Sequence, residues 1–359
     1  MLILAYTHSM EVRLTRLRIP LKAPYRLAFG PVEHFDTIVV ECESRDGRTG
    51  LGEATVLTGY TDETIDGAWR TAGDIAGRMK GLDFSGARSL LQPYLKKHPF
   101  TVTAFQTALE MLEGNRYLMP EREQEVRLLA GINSTAEDAV REEFERYFGQ
   151  GYRTFKLKVG FDVGKDLAHV KTVQELTRGR ATIRVDANQG YSAAQGVAFV
   201  RGLDPADIEL VEQPCSAGDW TGHMEVARAA TVPLMLDESI YGLEEIERAA
   251  ELGAARYLKL KLMKLGSLDA LGHALERIRA LGMKPVLGNG VACDLGCWME
   301  ACVAARHIDN AGEMNGFLRA RAGLLTEELE VRSGALVLKP NFVAKLARER
   351  LAPFIVETK

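Results

Sequence analysis

From Lys158 onward, one short apolar run after another ends in an ionisable side chain, and the spacing hardly changes. The run through Lys156 and Lys158 is followed by runs closing on Asp186, Glu212, Asp237 and Lys261, at steps of 28, 26, 25 and 24 residues. Each step has the length of one strand plus a crossover helix, so the strands are predicted to be consecutive and parallel. Equivalent positions on such strands stand at one height, and five charged groups then converge on one rim.

The rhythm runs through the chain from about residue 125. Strands are predicted at Val126–Gly131, Thr154–Val159, Thr182–Asp186, Ile208–Glu212, Leu234–Asp237, Tyr257–Leu262, Pro285–Gly288 and about Gly312–Met314. Helical patterns such as Ala136–Phe148, Leu243–Leu252 and Leu268–Leu281 lie between them. Eight strands in this span are satisfied by a closed barrel with no free edge. An open doubly wound sheet is the rival, but its Gly-rich phosphate turn is not matched by Gly131 to Glu137.

The first part of the chain reads otherwise. Strands at Val12–Ile19, Thr37–Ser44 and Leu51–Thr55 precede helices at about Thr64–Met79 and Thr103–Leu118, with Asp46-Gly47 a turn signal. The expected division is an α+β unit over 1–124, a barrel over 125–324, and a final segment, about 325–359, that packs back on the first unit.

Composition excludes some classes. A net charge of −4 with both signs interspersed lacks the basic stripe of a nucleic-acid binder. No apolar run reaches the ~18 residues of a membrane span. The opening Met1 to Tyr6 lacks the basic start and cleavage site of a secretory signal, so a cytoplasmic protein is expected. Five scattered cysteines without a CxxC pair suggest reduced thiols, and Cys293 with Cys297 suggests small apolar packing. The seven histidines form no HxxxH or HExxH pattern, so neither sulfur nor imidazole is expected to hold a metal.

A lone carboxylate at a strand end commonly caps the next helix. Three at one height repel unless a cation neutralises them, and an all-oxygen set suits a hard ion. Asp186, Glu212 and Asp237 are therefore candidate ligands for Mg²⁺, with Mn²⁺ the alternative. Lys156 and Lys158 lie two apart and share a face, which for buried lysines means the barrel interior. A lysine with a pKa of ~10.4 is no base at pH 7; a fall to about 7–8, roughly 4 kcal/mol, is what base chemistry requires. Lys158 is the expected base, with Lys156 its electrostatic modulator and substrate-carboxylate contact. Lys259 and Lys261 share a face on the sixth strand, and Lys261 can address the opposite side of a carbon acid. Lys264 is expected to lie beyond the strand.

The segments FKLKVG, VDANQGY, VEQP, LDES and LKLMKLG, in this order, resemble the enolase superfamily, specifically its muconate-lactonizing-enzyme subgroup, and Gly52-Glu53-Ala54 resembles part of that family's capping domain. The resemblance implies a (β/α)₇β modified TIM barrel under an α+β capping domain. It implies Mg²⁺ on Asp186, Glu212 and Asp237, with Lys158 and Lys261 as opposed acid/base groups, a lysine-and-Mg²⁺ pattern general to that superfamily. It implies supporting roles for Asn188 and Glu238, and capping loops at about Ala23–Gly30 and Thr55–Thr61, which bring Tyr25 and Tyr60 to the substrate. Glu313 and Asn289 are the remaining candidate substrate contacts. Dipeptide epimerases of the family carry an Asp-x-Asp pair where this chain has Glu313-Met314-Asn315, and cycloisomerases tend to keep a Glu there. Gly288-Asn289-Gly290-Val291 matches neither.

The expected activity is a Mg²⁺-dependent isomerisation, by epimerase, racemase or cycloisomerase, through an enediolate of a small carboxylate substrate. Dehydration of an acid sugar or hydroxy acid is the alternative on the same site. A non-catalytic barrel and a metal-dependent hydrolase are less consistent with filled lysine positions and ligand strands that carry no histidine. A homo-oligomer is expected, as for many barrels of this size.

Overall fold

The computed structural model describes residues 10–27 and 30–359. Three antiparallel strands, β1 (Glu11–Leu27), β2 (Gly30–Glu43) and β3 (Thr49–Thr55), form a sheet against helices α1 (Ile65–Met79), α2 (Phe84–Leu91) and α3 (Pro99–Glu113). The strands are longer than expected from sequence, and α3 both begins and ends earlier than the predicted helix. Of the expected capping loops, Ala28 and Phe29 fall outside the described residues, as does the Met1 to Tyr6 opening. Close packing of β3 on α3 depends on glycine: a Cβ on Gly52 would sit 1.7 Å from the carbonyl oxygen of Ala104, and one on Gly50 2.0 Å from that of Ala108. Apolar side chains from both layers, among them Leu14, Ile38, Val40, Trp69, Ile75, Phe105 and Leu109, make one core.

The predicted first barrel strand splits in two. β4 (Gln124–Arg127) turns away to pair antiparallel with a C-terminal strand, and β5 (Ala130–Ile132) opens the barrel. Parallel strands follow in order: β6 (Thr154–Lys158), β7 (Thr182–Asp186), β8 (Ile208–Glu212), β9 (Leu234–Leu236), β10 (Tyr257–Leu260) and β11 (Lys284–Leu287). The expected eighth strand is not a regular one. Gly312 and Glu313 alone span the gap: Glu313 N donates to the carbonyl of Leu287 (3.0 Å), and Leu129 N donates to that of Gly312 (3.0 Å). Gly288 makes this approach possible, since at its φ of 138° a Cβ would lie 2.4 Å from the Glu313 nitrogen. Seven strands and a two-residue seam therefore close the ring.

C-terminal residues serve both units. β12 (Val331–Arg332) and β13 (Ala335–Leu338) extend from β4, whereas β14 (Ile355–Thr358) pairs with β1. The cap also docks on the barrel directly: Leu21 bridges Ala320, and Arg321 N donates to the carbonyl of Pro20. All five cysteines are buried and unpaired. Among the described residues no helix is long and apolar enough to cross a membrane.

Candidate active site

Alternation along the strands lays the barrel interior out in tiers. Leu210, Met235, Tyr257 and Val286 form an apolar cluster. Two residues further along their strands stand Glu212, Asp237, Lys259 and Gly288. Register lines Lys158 up with Asp186, and Asp186 with Glu212. Lys158, Asp186 and Glu212 thus align at the strand ends, whereas Asp237 is level with Lys259, so Lys261 stands one tier further out than its recurrence predicts.

Their contacts are dense. Lys156 Nζ lies 2.9 Å from Asp186, 2.7 Å from Glu212 and 2.8 Å from Glu313. Lys158 Nζ donates to Asp186 Oδ2 (2.6 Å) and to Asn188 Oδ1. Across the bowl, Lys261 Nζ donates to Asp237 Oδ2 (2.8 Å) and to the Tyr60 hydroxyl (2.7 Å). Asn188 Nδ2 donates to Glu238 Oε1 (2.9 Å), which links the two sides. Lys158 is the most open of these lysines, its side chain 33% exposed, against 11% for Lys261 and 8% for Lys156.

Two lysines hold positions that the sequence did not reveal. Lys259 is fully buried between Glu313 (2.7 Å) and Glu212 (3.2 Å). Lys264 lies beyond the strand, as expected, and nothing in the spacing brings it into the site. A short helix, Leu262–Leu265, turns it back, and its ammonium donates to the main-chain carbonyl (2.5 Å) and side chain (2.7 Å) of Asp237. Lys156, the expected modulator of Lys158 and substrate-carboxylate contact, has three donors and faces three carboxylates in this arrangement. Glu313, gripped by two lysines, is not a free acceptor.

Charge sets the protonation of this cluster. Burial opposes ionisation of Asp186, yet Lys156, Lys158 and Lys259 outweigh it and hold the group down at about 2. Asp237 lies well below its ordinary value for the same kind of reason, with Lys261 and Lys264 the main cations. Burial works to lower Lys261, but Asp237 and Glu238 prevail and raise it. Glu238 is pushed up to about 7, by burial and then by Asp237 and Asp186. Lys264 is driven down to about 8, chiefly by burial, against the pull of Asp237.

The donor set accommodates a hard cation. All candidate ligands are carboxylates, and Glu238 Oε2 is buried with no hydrogen-bond partner. Glu212 Oε2 is 2.7 Å from Lys156 Nζ but outside hydrogen-bonding geometry, leaving it without a proper donor. In this arrangement lysine ammoniums stand between the acids, and among the described residues no three His, Cys, Asp or Glu side chains form a closed ligand set. A divalent ion would take over the charge balance now held by ammoniums, which favours deprotonated lysine.

Above the cluster lies a cavity of about 330 Å³, bordered by Tyr25, Tyr60, Glu238, Tyr241 and Asn289 among others. Tyr60 reaches in from the cap to Asp237 Oδ1 (3.2 Å). Asn289 lines the wall, its Oδ1 accepting from Val291 N (3.0 Å). A second cavity of about 830 Å³ shares Tyr25, Lys158 and Asn188 with the first.

Glu300 lines a small cavity between cap and barrel, with Thr55, Phe100 and Asn289. Burial pushes it up to about 7, although the amide of Leu262 donates to it. Its folded pKa is above the ~4.3 of an exposed glutamate, so the folded state retains the proton longer and stability falls as pH rises from about 4.3 to 7. Glu300→Gln removes that loss. Urea unfolding is expected to show the variant gaining about 2 kcal/mol over the parent at pH 8 and little at pH 5; an equal difference at both pH values would contradict the raised pKa.

Residues 139–341 match the family described as enolase C-terminal domain-like. An N-succinylamino acid racemase of Thermus thermophilus is 30% identical over 87% of this chain and 84% of its own. A hydrophobic dipeptide epimerase of Citrifermentans bemidjiense is 29% identical over 80% and 81%. The crystal structure of muconate lactonizing enzyme from Pseudomonas fluorescens superposes with a TM-score of 0.86 at 24% identity, covering 98% of this chain and all of the other. With this family match over more than half of its length, and a modified barrel under an α+β cap, the chain belongs to the enolase superfamily.

Proposed function

We propose that this protein is a divalent-metal-dependent isomerase that moves the proton next to a substrate carboxylate between Lys158 and Lys261. The observation that carries the reading is the opposition of these two amines. They project from β6 and from the end of β10, with β7, β8 and β9 between them one way round the ring and β11, the seam and β5 the other way, and each touches a different acid, Asp186 and Asp237. A substrate lying between them presents one face of its α-carbon to each lysine.

Asp186, Glu212 and Asp237 are the proposed ligands of Mg²⁺, with Mn²⁺ an alternative. When bound, the ion supplies fixed positive charge beside the substrate carboxylate, where negative charge grows as the α-proton leaves. Lys158 takes the proton from one face. Lys261, oriented by Asp237 and Tyr60, returns one to the other face. Lys156 and Lys259 hold the carboxylate layer together from below. Asn188 keeps Lys158 and Glu238 in register, while Tyr25 and Tyr60 cover the bowl from the cap. Five buried, unbridged cysteines suit a reducing compartment, and the cytoplasm is the proposed location.

The test is an NMR screen in D₂O with Mg²⁺ against acid-sugar, amino-acid, N-acyl-amino-acid, dipeptide and muconate libraries. Deuterium is expected at the α-carbon of members of at least one class, with inversion of configuration or cycloisomerisation for true substrates. A complete absence of exchange across all classes, with Mg²⁺ and with Mn²⁺, sinks the reading.

A further inference from the structure

The larger cavity differs in charge from the bowl it adjoins. The bowl is bordered by Asp186, Asp237, Glu238 and Glu313, whereas among the described residues no acidic side chain lines the 830 Å³ cavity. Its ionisable walls are Lys22, Lys158, His169 and Arg319, set among apolar and aromatic surface from Ile132, Tyr147 and Tyr152. Burial lowers the pKa of His169, which leaves Lys22 and Arg319 as the cations of this cavity that the isomerase reading does not already use.

Arg319 is the telling residue. Its guanidinium lies 3.8 Å from the ring centroid of Tyr25, and its Nε is buried with no hydrogen-bond partner. Among the described residues no carboxylate pairs with it, although arginine forks match carboxylates well and an unpaired buried donor is costly. The segment carrying it is held firmly: Lys22 Nζ donates to the carbonyl of Leu318 (2.9 Å), and Ala320 bridges Leu21 of the cap. Tyr25 borders both cavities, so the arginine stacks on the side chain that separates the reacting centre from the larger space.

From this we infer that the larger cavity receives the distal part of the substrate, and that this part carries a second carboxylate, bound by Arg319. The inference rests on the isomerase reading for the position of the reacting carbon. It disfavours substrates with a free ammonium at the distal end, since the cavity offers them no acid and Glu313 is already held by Lys156 and Lys259.

The test uses two probes differing only in charge, N-succinylalanine and its terminal carboxamide, N-succinamoylalanine. Binding is measured by calorimetry with Mg²⁺ present, and α-deuteration by NMR. The protein is expected to bind the succinyl probe roughly 10- to 100-fold more tightly than the amide. Arg319→Gln is expected to erase that preference with little effect on the amide, Arg319→Lys to retain part of it, and added salt to weaken the succinyl probe alone. Equal affinity in the unaltered protein, or failure to bind either probe, overturns the anion site. So does an Arg319→Gln variant that weakens both probes alike, which marks a merely structural arginine. A binding preference without deuteration leaves the anion site standing and counts against the isomerase reading. Deuteration of both probes with no preference does the reverse.

Discussion

Lys158→Ala is expected to cut α-proton turnover by about 10²–10⁴-fold, the range typical of removing a general base, and to treat mirror-image substrates unequally. Lys158 and Lys261 stand on opposite walls, so each faces the α-proton of one antipode. Without Lys158, the antipode facing it stops exchanging. The other can still lose its proton to Lys261 and regain deuterium on the same face, while interconversion ceases. Lys261→Ala should give the opposite pattern. Measuring α-deuteration and optical rotation separately for each antipode distinguishes this from a general loss of activity. Retention of full interconversion by either variant would remove the two-base assignment.

Asp237→Asn is expected to have a second large effect, on both the cation and the fold. The carboxylate accepts from Lys261 and Lys264, and Tyr60 lies 3.2 Å from it. Amide replacement leaves two buried ammoniums without their counter-charge, a change that typically costs about 3–5 kcal/mol. It also removes one of the three proposed ligands, so Mg²⁺ affinity should fall roughly 100-fold or more, about 3 kcal/mol at the site. Thermal unfolding with and without Mg²⁺ reports both effects: the variant should melt earlier without the ion and gain less from adding it. A variant stabilised by Mg²⁺ as strongly as its parent would exclude Asp237 as a ligand.

The charged layer was legible because it depends on local periods. Alternation put Lys156 and Lys158 on one face, and the step of one βα unit put Asp186, Glu212, Asp237 and Lys261 at or just past successive strand ends; the coordinates show these six in contact with one another or with shared partners. What escaped was set by packing between distant segments. Lys264 enters the site because a four-residue helix reverses it after β10. The departure of β4 from the barrel depends on β13, some two hundred residues later in the chain. The seam at Gly312 and Glu313 is too short to carry any periodic signal. Nothing near Arg319 in sequence signals that it stacks on Tyr25, which lies almost three hundred residues earlier in the chain.

The pairing of Thr15 with Thr358 has a consequence for how the chain is assembled during synthesis. The opening strand of the lid emerges first, but its outer neighbour is translated only after every barrel segment. Closing so long a loop is entropically costly and is offset only when nearly all else is in place. The lid's edge is thus hemmed last, and a chain cut short before residue 355 keeps the β1 margin open for pairing with other molecules.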